Sequence, residues 1–308
     1  MQERRTLRSA GSRPSFKPSR RFEEPPWLFI VPAVLLYGVV VLYASVAGVY
    51  YAFTAWDGLS PTAPFVGLAN FQELAQSREA ADSLRNTVLI ALVATVVQNL
   101  LGLLLALGLH SHLKSRYVLR VLFFAPVMLA PIVVAFLFQY IYSPMGFLNY
   151  MLAAVGLENM QQAWLGNRST AIWSVITVIV WQFVGFSMVI FLAGLQGVPQ
   201  ELYDAADIDG ANGWNRFWNV TLPLIAPAIT VNLTLSVIAG LKIFDQVWAM
   251  TQGGPGHATA TLSVFLFRQA FLFGNYGYGM AIALVLTIIV TVVALIQLKI
   301  LRSREVEG

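Results

Sequence analysis

Four of the fifteen acidic residues in this chain crowd into one short stretch, and their neighbours point to docking rather than catalysis. The stretch spans 197–223 and holds Glu201, Asp204, Asp207 and Asp209. Pro199 suits the first turn of a helix. Glu201 and Asp204 suit its N-terminal end, where the helix dipole favours negative charge. Asp209-Gly210 ends it, because glycine readily takes the left-handed cap conformation. Leu202, Ala205 and Ala206 share one small apolar face at helical spacing, and small side chains let another protein approach closely. A second helix follows through Trp214, Arg216 and Trp218, and Pro223 opens the next apolar run. A helix lying on a bilayer is usually basic on its polar face. An acidic one reads better as a docking helix for a protein with a basic, grooved surface.

Other candidate groups lie inside apolar runs. Lys242 and Asp245 are three apart, which predicts one helix face and a possible ion pair. Charges inside a membrane are costly and functional by default. Asn232, Thr234 and Ser236 suit either a hydroxylated ligand or a neighbouring helix, and Thr234 reads as the latter. Catalytic sets are missing. There is no cysteine, which excludes disulfides, thiol catalysis and cysteine metal sites. An intramembrane protease needs Ser with His, or paired acids. His110, His112 and His257 are expected in loops, and Asp245 is the one acid in an apolar run. No Gly-x4-Gly-Lys-Ser/Thr loop occurs, and Gly253-Gly254-Pro255-Gly256 lacks the lysine.

The elements that must position these residues are membrane spans. The chain is 57% hydrophobic and 11% charged, with mean hydropathy +0.69, whereas soluble domains carry about 25% charged residues. A spanning helix needs about 20 apolar residues. Six segments qualify: 27–53, 87–109, 121–142, 171–195, 224–250 and 278–298. Pro126 and Pro131 should kink the third. Trp27, Tyr50, Tyr51 and Tyr142, at helix ends, suit interface anchors. Basic residues set the orientation. Fourteen fall in the N-terminal tail, the loop after span two, the loop after span four and the C-terminal tail, against Arg78, Arg85, Arg168 and Arg268 on the other side. Both termini are therefore expected in the cytoplasm. Arg20-Arg21 before an apolar run resembles a secretion signal, but the run is too long and lacks a small-x-small cleavage site, so an uncleaved first helix is expected. The organisation expected is a basic, disordered tail at 1–26 in contact with anionic lipid, a transmembrane domain at 27–301 and a short tail at 302–308.

The acidic stretch resembles the EAA loop of binding-protein-dependent ABC importer permeases: Glu-Ala-Ala, three residues, Gly, nine residues, Ile-x-Leu-Pro. Here it reads Asp204-Ala205-Ala206, then Gly210, then Val220-Thr221-Leu222-Pro223, with Asp for Glu and Val for Ile. Gly67-Leu68-Ala69-Asn70-Phe71 and Asn86-Thr87 resemble further segments of that family, and Phe244-Asp245 and Thr251-Gln252-Gly253-Gly254-Pro255 resemble the first permease subunit of maltose-type sugar systems. The resemblance implies an all-α integral membrane bundle of about six spans in a bacterial plasma membrane. It implies a second related permease, two ATPase subunits that bind and hydrolyse the ATP, and an extracytoplasmic solute-binding protein. It leaves this chain without a cofactor, an enzymatic activity or a nucleic-acid partner. It makes 201–209 the coupling helix, with Glu201, Tyr203, Asp204, Ala205, Ala206, Asp209 and Gly210 as its working residues and Asp204 paired with a basic ATPase residue. It places Gln182, Phe186, Ser236 and Asp245 near the substrate path, to which Asn232 and Lys242 are added as polar groups inside apolar runs. An aromatic beside an amide, as at Trp181, Gln182 and Phe186, matches a sugar, which offers polar edges and apolar faces. A di- or oligosaccharide is the expected cargo, although side chains on the path differ from those of maltose permeases. A glycerol-3-phosphate or polyol importer is the alternative within the class, and an ion-coupled secondary transporter is the alternative outside it.

Overall fold

A computed structural model describes residues 30–111 and 113–303. The basic tail at 1–26, Trp27, His112, Arg304 and the rest of the C-terminal tail lie outside these residues. The chain divides into two compact units, Met1–Ala47 and Gly48–Gly308. Among the described residues the structure is helical, with one isolated bridge between Thr54 and Phe65 and no strand.

The first helix, α1 (Val31–Tyr51), has no charged residue and loosens into a π-helical turn at Gly38–Tyr43. None of its residues up to Ala47 is buried, so apolar surroundings must solvate it. The second unit then runs α2 (Ala69–Gln76), α3 (Arg78–His110), α4 (Arg116–Met128), α5 (Pro131–Ile141), α6 (Phe147–Ala154) and α7 (Arg168–Gln196). It continues with α8 (Gln200–Ile208), α9 (Gly213–Leu224), α10 (Ala226–Leu241), α11 (Asp245–Thr251), α12 (Leu262–Leu272) and α13 (Tyr276–Arg302). Side chains fix several starts. Ser77 Oγ accepts from Ala80 N at 3.2 Å to open α3, and Asn167 Oδ1 accepts from Ser169 N at 3.1 Å to open α7.

Among the described residues four helices, α1, α3, α7 and α13, are long and apolar enough to cross a membrane, and the number reaches six if two bent pairs each form one span. The bend between α4 and α5 is 96°, and that between α9 and α10 is 68°. The first corrects the expectation of a helix kinked at both prolines. Pro126 sits early in the closing 3-10 turn of α4 without breaking it. The break is at Leu129-Ala130, because Pro131 forces the residue before it out of the helical region, and Ala130 is extended at ψ 134°. The second bend corrects the role given to Pro223, which lies inside α9. The next helix begins at Ala226, with Pro227 in its first turn.

The fifth expected span also ends early. α10 stops at Leu241, Lys242 caps it, and Asp245 opens the separate helix α11. Lys242 and Asp245 therefore share no helix face, both are exposed, and no ion pair joins them. The apolar helix α12 fell outside all six expected segments. His110 is the last residue of α3 rather than a loop residue. Tyr142 is no interface anchor; it is buried, with Phe138 and Trp164 against it.

The core is centred on α3 packed along α7, with α10 crossing α3 and α11 against α5. Lipid tails are as apolar as leucine, so close packing rather than burial from water holds such helices together. Gly185 shows what that demands. A Cβ at this position in α7 would overlap the Phe123 carbonyl, so only glycine lets the end of α4 lie against α7.

Candidate functional site

The acidic loop hangs between the end of α7 and the start of α9. Pro199 occupies the N-cap of α8 in an extended conformation, one position earlier than expected, and Glu201 lies in the first turn. The C-terminus is a complete Schellman turn. Gly210 has φ +76°, Gly210 N donates to Asp207 O at 3.2 Å, and Ala211 N donates to Ala206 O at 2.9 Å. This closure gives the four-residue spacing from Ala206 to Gly210 a physical reason.

No residue of α8 is buried. Glu201, Asp204, Ala205 and Asp209 are exposed, and Ala206 is half-buried. Leu202 and Ile208 are 42% and 87% exposed, which leaves an apolar strip uncovered beside the acids. Asp204 Oδ1 accepts from Gln200 Nε2 at 3.1 Å on the same helix. Tyr203 turns the other way. Its hydroxyl lies 3.3 Å from Thr221 Oγ1, and the Arg216 guanidinium stands 5.6 Å from its ring centre. Arg216 also pairs with Asp207 at 3.1 Å. Tyr203, Arg216 and Asp207 thus brace α8 against α9, while the acids and small apolar residues remain outside.

The candidate path residues separate into two groups. Gln182, Asn232 and Ser236 are buried and bonded within the bundle. Gln182 Nε2 donates to Leu129 O at 3.1 Å, and Gln182 Oε1 accepts from Gln246 Nε2 at 2.9 Å. Leu129 sits at the α4–α5 break, so the glutamine satisfies a carbonyl that the bend leaves without a helical partner. Asn232 Nδ2 donates to Asn99 Oδ1 at 2.9 Å, and Asn232 Oδ1 accepts from Ser187 Oγ at 3.3 Å. Ser236 Oγ accepts from Asn99 at 3.2 Å and from Gln98 at 3.4 Å. Gln98 also donates to Ser187 Oγ at 2.8 Å. These contacts tie α3, α7 and α10 together at mid-length. Thr234 bonds back to Thr230 O at 2.7 Å on its own helix rather than to a neighbouring helix as expected. Phe186, Lys242 and Asp245 form the second group: Phe186 is 37% exposed, and both charges are exposed.

Gln98, Asn99 and Gln246 escaped the sequence reading. The adjacent amides Gln98-Asn99 inside the apolar run 87–109 were the available signal for the first two. Trp181 lines an apolar cavity of about 1030 Å³ between α3, α4 and α7, with Val97, Leu101 and Phe123, and none of the candidate path residues reaches it.

The other motif residues fasten the end of the bundle formed by the N-termini of α3 and α7. Asn70 Nδ2 donates to Ala52 O and Thr54 O, both at 2.9 Å. Asn86 Nδ2 donates to His257 O and Ala260 O at 3.0 and 3.1 Å, and Thr87 Oγ1 accepts from Leu262 N at 2.9 Å. Among the described residues no cluster of His, Asp or Glu could hold a metal ion.

Long apolar helices, an amide-tied interior and a braced acidic helix exposed beside them mark an integral membrane protein. Residues 98–305 match the family described as binding-protein-dependent transport system inner membrane component. The chain belongs to that family and is an ABC importer permease. It is 34% identical to MsmF of Streptococcus mutans, a multiple sugar-binding transport system permease protein, over 91% of this chain and 96% of that one. It is 35% identical to MalF of Thermococcus litoralis, a trehalose/maltose transport system permease protein, over 90% and 94%. Its fold superposes on a chain of a bacterial ABC transporter that imports the acidic polysaccharide alginate, with TM-score 0.79 and 22% identity over 90% of this chain and 94% of that one.

Proposed function

We propose that this chain is one of two permease subunits of an ATP-driven sugar importer and that α8 is its coupling helix. The observation that carries the coupling role is the exposure of α8. A nine-residue helix closed at its C-terminus by a Schellman turn, with no buried residue and an open Leu202–Ile208 strip beside its acids, has the form of a part awaiting a partner. The distribution of basic residues favours the cytoplasm for the loop that bears it and for both termini. The partner is an ATPase subunit offering a cleft with basic groups to Glu201, Asp204 and Asp209, and it supplies the ATP chemistry. When two ATPases close, α8 moves as a rigid lever, because Tyr203 and Arg216 tie it to α9.

The cargo is a di- or oligosaccharide, in keeping with the sugars named for MsmF and MalF and the alginate importer's fold. An extracytoplasmic binding protein delivers it. The buried amides of Gln182 and Asn232 and the Ser236 hydroxyl position the helices. The exposed Phe186, Lys242 and Asp245 face the path shared with the second permease.

The test is uptake of labelled sugar in a host deleted for this chain. Asp204→Lys places like charge against a basic cleft and is expected to abolish uptake, with normal abundance in the membrane. Normal uptake by Asp204→Lys and by Gly210→Pro would remove the coupling assignment.

A further inference from the structure

Beside the coupling loop lies a second polar feature that the importer reading does not use. A cleft of about 660 Å³ opens between the C-terminal end of α3, the first turns of α4 and the start of α9. His110, Arg116, Arg120 and Arg216 line it, and no carboxylate does. The carboxylate nearest in chemistry, Asp207, is held by Arg216. Arg116 and Arg120 have no carboxylate partner among the described residues, so their charges repel one another and that of Arg216 unless a further anion joins them.

The arginines are held in place. Arg116 Nη2 donates to the Tyr117 hydroxyl at 3.1 Å, and its guanidinium lies 4.9 Å from that ring centre. Arg120 Nη2 donates to Leu109 O at 2.9 Å, an end carbonyl of α3, while Arg120 Nε is buried without a hydrogen-bond partner. Leu107, Leu195 and Phe217 add apolar lining between the basic groups.

We propose that this cleft binds the phosphate of an anionic lipid headgroup, with the guanidinium forks on the phosphate oxygens. Planar, multidentate donors suit phosphate better than point charges do. The volume falls within the roughly 300–1,000 Å³ of small-molecule sites. Arg216 belongs both to this cleft and to the brace on α8, so the bound headgroup steadies the base of the coupling loop. The binding claim stands without the coupling assignment, and its test reads binding alone.

The experiment is native mass spectrometry of the full-length chain in neutral detergent, supplied with phosphatidylglycerol or phosphatidylcholine of the same acyl composition. Phosphatidylglycerol is expected to be retained about tenfold more strongly, because both lipids carry the phosphodiester but the choline cation of the second is repelled by the guanidinium cluster. Arg116→Gln, which touches only Tyr117 and so leaves folding intact, is expected to lose most of that preference. Arg78→Gln, at the far end of α3, is expected to keep it. Added inorganic phosphate separates the sources. Competition by phosphate alone marks a free-anion site, and persistence of the lipid against it marks a headgroup site. Equal retention of the two lipids by the unaltered chain, or full preference in Arg116→Gln, would overturn the proposal.

Discussion

Asp204, Ala206 and Gly210 show how closely spacing can follow from mechanics. Ala206 supplies the carbonyl and Gly210 the left-handed residue of a single Schellman turn, so the interval between them cannot change without unwinding the end of α8. Gly210→Ala meets no neighbouring atom within 4 Å, and its effect is confined to the backbone conformation, roughly 1–2 kcal/mol. Partial loss of uptake is expected. Gly210→Pro cannot reach φ +76° at all and removes the N–H that bonds Asp207 O, so complete loss is expected in the same uptake assay. This site was legible in sequence because caps, turns and acidic first turns are local chemistry. Tyr203 was legible only in part. Its neighbours on α8 could be read, but its use as a brace depends on Thr221 and Arg216 from the next helix.

The interior amides belong to the scale of helices, where local reading fails. Nothing next to Gln182 in sequence announces a carbonyl 53 positions away at a helix break, nor a glutamine 64 positions on. Replacing Gln182 by Leu leaves the Leu129 carbonyl and the Gln246 amide unpaired in an apolar interior. A loss of about 1–3 kcal/mol is expected, measured as a fall in thermal stability in detergent. A double-mutant cycle of Gln182→Leu with Gln246→Leu is expected to give a coupling energy of about 1 kcal/mol. No coupling, together with an unchanged melting temperature and impaired uptake, would move Gln182 back onto the substrate path. Gly185→Val drives a branched side chain into the backbone at Phe123 and is expected to abolish stable insertion, measured as membrane abundance. The same scale explains the error over Lys242 and Asp245. Their spacing implies a shared face only if the helix continues, and the apolar run 224–250 hides the stop after Leu241. Hydropathy reports lipid compatibility and is blind to a break when both arms are apolar.

At the scale of the molecule, composition alone identified a membrane protein, and the four long helices were legible because length and apolarity are properties of the chain itself. The bent pairs were legible as apolar segments but not as bends. The EAA spacing supplied the class, which family membership and relatives along nearly the whole chain then established. The apolar surface of the long helices suits lipid, and the exposed acidic helix α8 is the surface that the coupling proposal assigns to a partner. The deciding measurement is co-purification of the tagged chain from gently solubilised membranes of its own host. An ATPase and a second, related permease in stoichiometric amounts are expected, with a solute-binding protein joining when sugar is supplied. Asp204→Lys should come down with the permease but without the ATPase. A chain recovered alone or only with copies of itself, or an Asp204→Lys variant that keeps its ATPase, would contradict the coupling role given to α8.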